Sequence, residues 1–322
     1  MNELKSGSEF KPGNDLKSGS NLEKVLKAGY FAFTGECGPP KGANVRHLKE
    51  KFQYLKGNVD AVNMTDNQTA VVRMSSLAGS ALLVEEGLEP NFQMVCRDRN
   101  RLAIMSDILG AYALGIRNML CLSGDHQTFG NHPEAKNVHD IDSMQLISVV
   151  KKMRDEEKFI NGEEIDVAPR MFIGAACNPF ADPYEYRVYR LANKIEAGAD
   201  FIQTQCIFNM EKFRDFMKKA VDMGLHERCY ILAGVTPMKN AGMANFMSKF
   251  VPGMDIPDSL IKRLKGVDKR DQAEEGIKFA LEQVEEFKQM EGVSGVHMMA
   301  IEWEHKMPEI AERAGMLPRP AV

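Results

Sequence analysis

The chain has 322 residues, 44% hydrophobic and 27% charged, with a net charge of -4. That balance speaks against a nucleic-acid surface, which carries a basic excess, and no apolar run reaches the ~18 residues of a membrane span. No secretory leader opens the sequence, and Cys37, Cys96, Cys121, Cys177, Cys206 and Cys229 form no CxxC pair, so a cytoplasmic protein with reduced core thiols is expected.

Residues 1–20 are rich in Gly, Ser and Lys and contain LKSGS at 4–8 and again at 16–20. They carry neither a helical nor a strand period and are expected to form a flexible N-terminal tail. Order is expected from Ser20, which can cap a short helix with Leu22, Val25 and Leu26 on one face. Eight short apolar or β-branched runs follow: YFAFTGE, AVNMTD, FQMVCRD, NMLCLSGD, RMFIGAACN, FIQTQCI, YILAGVTP and VHMMAIEW. Segments of helical period separate them, such as the one carrying Ile277, Ala280, Leu281, Val284 and Phe287, and several end in a capping glycine. Two connections are longer, one after the fourth run and one after the seventh, from Pro237 to about Gly266. Apolar runs alternating with helices read as buried parallel strands. Eight such units predict an α/β protein, a single-domain (β/α)8 TIM barrel over residues 21–322 behind the short tail. The dinucleotide fingerprint GxGxxG and the phosphate loop GxxxxGK[ST] are both absent.

In such a barrel the chemistry sits where the strands end. Those ends supply Glu36, Thr65, Asp66, Arg97, Asp98, Ser123, Gly124, Asp125, Asn178, Gln203 or Gln205, Thr236 and Glu302. Polar residues are common where loops start, so each alone also has a structural reading; their convergence on one mouth points to a site. The histidines lack zinc-site spacing, so no metal is expected, and no GxSxG elbow marks a serine nucleophile. Carboxylates without a metal set leave acid–base chemistry on an organic substrate, assisted by a cofactor. Glu36 lies in FTGECGPP among Phe31, Phe33, Cys37, Pro39 and Pro40. Such neighbours desolvate a carboxylate and favour its neutral form, the form that can donate a proton. An ion pair with Lys41 or Arg46 is the alternative.

FTGECGPP on the first strand, LCLSGDH on the fourth, LANKIEAGAD and FIQTQCIF around the sixth, and the closing GMLP together resemble the methylenetetrahydrofolate reductase family, in its bacterial type with the catalytic barrel alone. The resemblance runs from about residue 21 to 320. It implies a flavin-dependent oxidoreductase that reduces 5,10-methylenetetrahydrofolate to 5-methyltetrahydrofolate in one-carbon metabolism and methionine biosynthesis. By carry-over, Glu36 is the general acid, Asp125 binds the pterin near the flavin, and Gln205 orients the folate substrate. Thr65, Gln93, Ser123, Gly124, Asp125, Asn178, Asp182 and Lys194 take the positions of flavin contacts, with Lys194 suited to a phosphate.

The chain departs from the family at Ser123 and Gln93, where many relatives carry arginine and histidine, and at Trp303, near a usual folate arginine. FAD is the implied cofactor, with room left for FMN. The electron donor is NADH or NADPH by family habit, or an electron-donating partner subunit; a homo- or hetero-oligomer is expected. Two rival readings remain at this stage, a flavin-free pterin methyltransferase barrel and a structural or relay subunit of a larger complex.

Overall fold

A computed structural model describes residues 15–251 and 253–322. Each of the eight apolar runs contains a strand: β1 (Ala32–Cys37), β2 (Ala61–Met64), β3 (Pro90–Val95), β4 (Asn118–Leu122), β5 (Phe172–Cys177), β6 (Phe201–Cys206), β7 (Tyr230–Val235) and β8 (Val293–Met298). Every strand pairs in parallel with the next, and β8 pairs with β1, so the sheet closes into a barrel. The fold is the predicted (β/α)8 barrel.

Side chains alternate across a strand, and here the alternation separates two cores. Phe33, Val62, Phe92, Met119, Ile173, Ile202, Ile231 and Val296 point outward to the helices and join one large apolar cluster. The inward positions divide by height. At the lower end, Ala32, Ala61, Phe172, Phe201 and Tyr230 pack against Leu22, Val25 and Leu26 of the helix Asn21–Lys27. That helix stands under the barrel as its floor. Ser20 caps it as expected, its Oγ accepting from the Glu23 N–H at 3.0 Å. All six cysteines are free and buried.

Buried charges brace the floor. Glu89, before β3, accepts from the N–H groups of Asn21 (2.5 Å) and Leu22 (2.9 Å), and burial pushes its carboxyl above its usual value. Burial also works against the charge of Glu23, but the backbone N–H groups of Lys17, Ser18 and Gly19 more than offset it and hold that carboxyl low. Lys17 to Gly19 are therefore tied to the floor, while residues 1–14 of the predicted tail lie outside the described residues. Asp200 accepts from Arg154 Nη1 (2.5 Å) and from the Ile173 N–H (2.8 Å), and also meets Lys17 Nζ. Asp60 accepts from the Phe33 N–H (2.7 Å) and from Arg319 (2.9 and 2.5 Å), and its carbonyl takes Asn21 Nδ2 at 3.0 Å.

The long connection after β7 folds into two further helices, Ala241–Phe250 and Asp258–Lys265, that pack on each other. Among the described residues no helix is long and apolar enough to cross a membrane. The helix Gln272–Gln289 approaches the β7 exit so closely that a Cβ on Gly276 would lie 1.8 Å from the Met238 carbonyl oxygen. Elsewhere in a helix, glycine-to-alanine gains up to about 1 kcal/mol. Here Gly276→Ala should lose about 1–3 kcal/mol instead, the cost of forcing an overpacked contact. A denaturant midpoint at or above that of the parent protein would contradict the close approach.

Candidate active site

Glu36 ends the inward-facing series Ala32, Thr34, Glu36 on β1 and reaches the upper mouth with its side chain 15% exposed. Directly below it the barrel is crossed by a buried polar layer. His297 of β8 sets Nδ1 3.0 Å from Thr34 Oγ1, while its Nε2 lies 3.4 Å from Asn63 Nδ2 and 3.7 Å from Glu36 Oε2. The last distance is too long for a hydrogen bond. Asn63 Nδ2 donates to Gln203 Oε1 at 2.6 Å, and Gln203 Nε2 returns a bond to Asn63 Oδ1 at 3.1 Å. Asn91 Nδ2 donates to both acceptors, at 2.8 and 3.3 Å. Buried polar groups persist only when hydrogen-bonded, and these five satisfy one another almost completely. Neither Lys41 nor Arg46 pairs with Glu36; the basic side chain beside it is His297.

Next to β1 around the barrel, the exits of β2, β3 and β4 are knitted together. Arg97 donates to the Asp125 carbonyl (2.8 Å) and to both oxygens of Asp98 (2.7 and 2.6 Å), and Asn67 Nδ2 donates to Asp98 (3.2 Å). Burial opposes the charge on Asp98, but Arg97 and Asn67 more than offset it and hold the carboxyl low. The Asp125 carboxylate accepts from the Thr69 N–H at 3.0 Å. This β2 loop holds Asn67, Thr69 and Ala70 at positive φ (42°, 55° and 56°), conformations that cost on the order of 1–3 kcal/mol each and gather at functional sites. Gly124 has φ +90°, and a Cβ there would meet Val95 Cβ at 3.0 Å; glycine lets the β4 exit lie flat against β3. A cavity of about 540 Å³ lies between the loops after β1 and β8 and the helix Arg46–Leu55, lined by Gly38, Pro39, Tyr54, Arg73, Glu302 and His305, among others; Glu36 is not part of its wall.

The sequence profile of the family described as methylenetetrahydrofolate reductase matches residues 21–315. The chain belongs to the methylenetetrahydrofolate reductase family. It is 23% identical over 97% of its length to a probable methylenetetrahydrofolate reductase (NADPH) of Caenorhabditis elegans, covering 46% of that protein. It is 25% identical over 70% of its length to methylenetetrahydrofolate reductase 2 of Schizosaccharomyces pombe, covering 35% of it. With 5,10-methylenetetrahydrofolate reductase of Pectobacterium carotovorum the identity is 24%, over 67% of this chain and 66% of that one. The chain thus spans half or less of the first two relatives. Among solved structures, an uncharacterized Clostridium thermocellum protein that binds two copies of 5-methyl-5,6,7,8-tetrahydrofolic acid superposes with a TM-score of 0.59 at 13% identity, over 93% of this chain and 99% of that one. At that identity the likeness carries the fold alone.

The residues singled out by likeness to the reductase family fall in three groups. Glu36, Thr65 and Gln93 occupy inward positions at or just below the mouth, and Gln205 lies on β6 where the register shifts. Thr65 is 2% and Gln93 7% exposed, whereas the Gln205 side chain turns back to the Cys206 N–H at 3.2 Å. Ser123, Gly124 and Asp125 form the β4 exit, with Ser123 Oγ bonded to Ser143 Oγ at 3.0 Å. Asn178, Asp182 and Lys194 belong to the β5 side. Asn178 Nδ2 donates to the Gly253 carbonyl (3.2 Å), so the β5 exit meets the two-helix segment after β7. Lys194 donates to the Ala176 carbonyl, and burial pushes its ammonium below its usual value. Asp66, part of the predicted ring, proves to be structural: it accepts from the Val95 N–H (3.0 Å) and Arg99 (2.7 Å). Among the described residues no group of three or more His, Cys, Asp or Glu is arranged for a metal ion.

Sequence reasoning missed His297, Thr34, Asn63 and Asn91. The available signal was polar residues at alternate places inside strand-like runs, and it was read only at the strand ends.

Proposed function

We propose that this chain reduces 5,10-methylenetetrahydrofolate to 5-methyltetrahydrofolate, with Glu36 as the general acid. The observation that carries the reading is Glu36 itself: a carboxyl at the barrel mouth, three-quarters enclosed or more, whose basic neighbour is a buried histidine rather than a lysine or arginine. A permanent cation would fix the carboxylate in its charged form. A histidine imposes no permanent charge beside it. Glu36 donates that proton to the folate ring nitrogen whose bond to the one-carbon unit breaks. The ring opening leaves an iminium carbon on the substrate. The Asp125 carboxylate, held by the Thr69 N–H, faces the same mouth and favours that positive charge electrostatically, while Gln205 positions the pterin.

A flavin bound at the mouth supplies the hydride that this carbon accepts. The residues present fit such a group. Thr65 Oγ1 is buried without a hydrogen-bond partner beside Gly38, whose ideal Cβ position lies 3.7 Å from it, and an unmatched hydroxyl at a mouth calls for an acceptor or donor from a ligand. Thr65 with Gln93, Ser123, Gly124, Asn178, Asp182 and Lys194 would hold FAD, or FMN. Thr65→Val keeps the shape and removes that hydroxyl. It should leave the melting temperature unchanged or slightly raised and weaken flavin binding about 2- to 13-fold, the worth of one hydrogen bond. Unchanged flavin affinity in a titration would remove Thr65 from the cofactor site.

The deciding experiment is anaerobic. The protein is loaded with flavin, photoreduced and mixed with 5,10-methylenetetrahydrofolate while the flavin absorbance is followed. Reoxidation with 5-methyltetrahydrofolate formed is expected; a stable reduced spectrum would overturn the reading. Replacing light by NADH or NADPH in the same cuvette tests the nicotinamides as donor against a partner protein.

A further inference from the structure

The buried amides below the mouth have a direction, and it constrains His297. We propose that Asn63, Gln203 and Asn91 are positioning residues that hold His297 as its neutral Nδ1–H tautomer, with the Nε2 lone pair facing the Asn63 amide and no N–H on the ring edge near Glu36. The role given to Glu36 rests on the function proposed above; the tautomer does not.

Asn63 Oδ1 receives Asn91 Nδ2 and Gln203 Nε2, and Gln203 Oε1 receives Asn63 Nδ2 and Asn91 Nδ2. Asn63 has one N–H left, and it points at His297 Nε2, 3.4 Å away. A donor there requires a lone pair on Nε2, which leaves the ring proton on Nδ1. Nδ1–H then donates to Thr34 Oγ1, which also accepts from Gln203 Nε2 (3.2 Å) and gives its own proton to the Val296 carbonyl (3.4 Å). One hydroxyl thus accepts twice and donates once, its full capacity, and the sole orphan in the layer is Asn91 Oδ1.

The opposite sense is self-consistent among the amides but fails at Thr34. With all three amides turned over, Gln203 Oε1 and His297 Nδ1 would both need the single Thr34 hydroxyl proton. Asn91 would then bury an unmatched NH2, two donors instead of one acceptor. The observed sense leaves fewer groups unmatched. Its consequence at the mouth is that His297, 3.7 Å from Glu36 Oε2, presents neither an N–H nor a positive charge to it.

Nitrogen NMR on the full chain labelled with [15N]histidine tests this directly. Seven histidines contribute, and the His297 signals are those lost in His297→Gln. Unliganded wild-type protein should show a protonated Nδ1 and a lone-pair-type Nε2. A protonated Nε2, or a mixture of tautomers, overturns the proposal without any variant having to fold. In Asn63→Asp an acceptor replaces the donor, and the His297 proton should move to Nε2; an unchanged pattern in folded Asn63→Asp also overturns it. In the same variant, flavin reoxidation by folate should slow about 10-fold or more with folate affinity retained, the size of one mismatched buried group. Should wild-type protein show the expected tautomer yet no folate half-reaction, the layer stands and the reductase reading falls.

Discussion

Glu36→Gln is expected to fold and bind flavin like the parent, and to lose about 10²- to 10⁴-fold in the rate at which folate reoxidises the reduced flavin. That is the usual worth of one general acid, or about 2.7–5.5 kcal/mol of barrier. The fold should survive because the side chain sits at the mouth, and the ring nearest to it, His297 at 3.7 Å, accommodates an amide of the same shape with little strain. Chemistry should not survive, because an amide has no acidic proton to give to a ring nitrogen. Rapid-mixing absorbance separates the outcomes. A normal bound-flavin spectrum with slow reoxidation supports the role, and reoxidation at the parental rate would remove Glu36 from the mechanism.

The largest expected loss of stability lies at the other end of the barrel. Asp200 and Arg154 are 5% and 6% exposed and meet at 2.5 Å. Burial works against the Arg154 charge, while Asp200 and Asp155 more than offset it and hold the guanidinium above its usual value. Asp200→Ala takes the buried carboxylate from Arg154, leaving it only the 38% exposed Asp155, and leaves the Ile173 N–H without its acceptor. A cost of about 3–5 kcal/mol follows, a fall on the order of 10 °C in Tm for a chain of this size. Asp200→Asn retains an acceptor for Ile173 and should lose less. Equal melting temperatures for Asp200→Ala and the parent would show that the pair contributes nothing.

Much of the barrel was legible because strands and helices leave different periods. Runs such as YILAGVTP are apolar on both faces, as a strand between a filled interior and a ring of helices must be. Ser20 and Leu22, Val25 and Leu26 announced the first helix, though its place beneath the barrel depends on strands far along the chain. The exits of β1, β2 and β4 were legible because a polar residue closing an apolar run stands out. Asn63, Asn91 and His297 lie in the middle of such runs, where the habit of reading core positions as apolar hides them. Asp66 shows the converse: a carboxylate at a strand exit can serve only to hold the neighbouring loop. The bond between Asn178 and Gly253 joins loops 75 residues apart, a contact that no local pattern encodes.

Asp60, at the floor of the barrel, joins two distant stretches of the chain, its carbonyl taking Asn21 and its carboxylate Arg319. Two segments almost 300 positions apart in sequence therefore finish side by side, on the face away from the chemistry. Joining residues near 21 and 319 through a short flexible bridge, and opening the chain in an exposed loop instead, would yield a circular permutant with the same strand pairings. Such a rearranged chain would carry its free ends wherever a fusion or a surface attachment is wanted, with the mouth left clear.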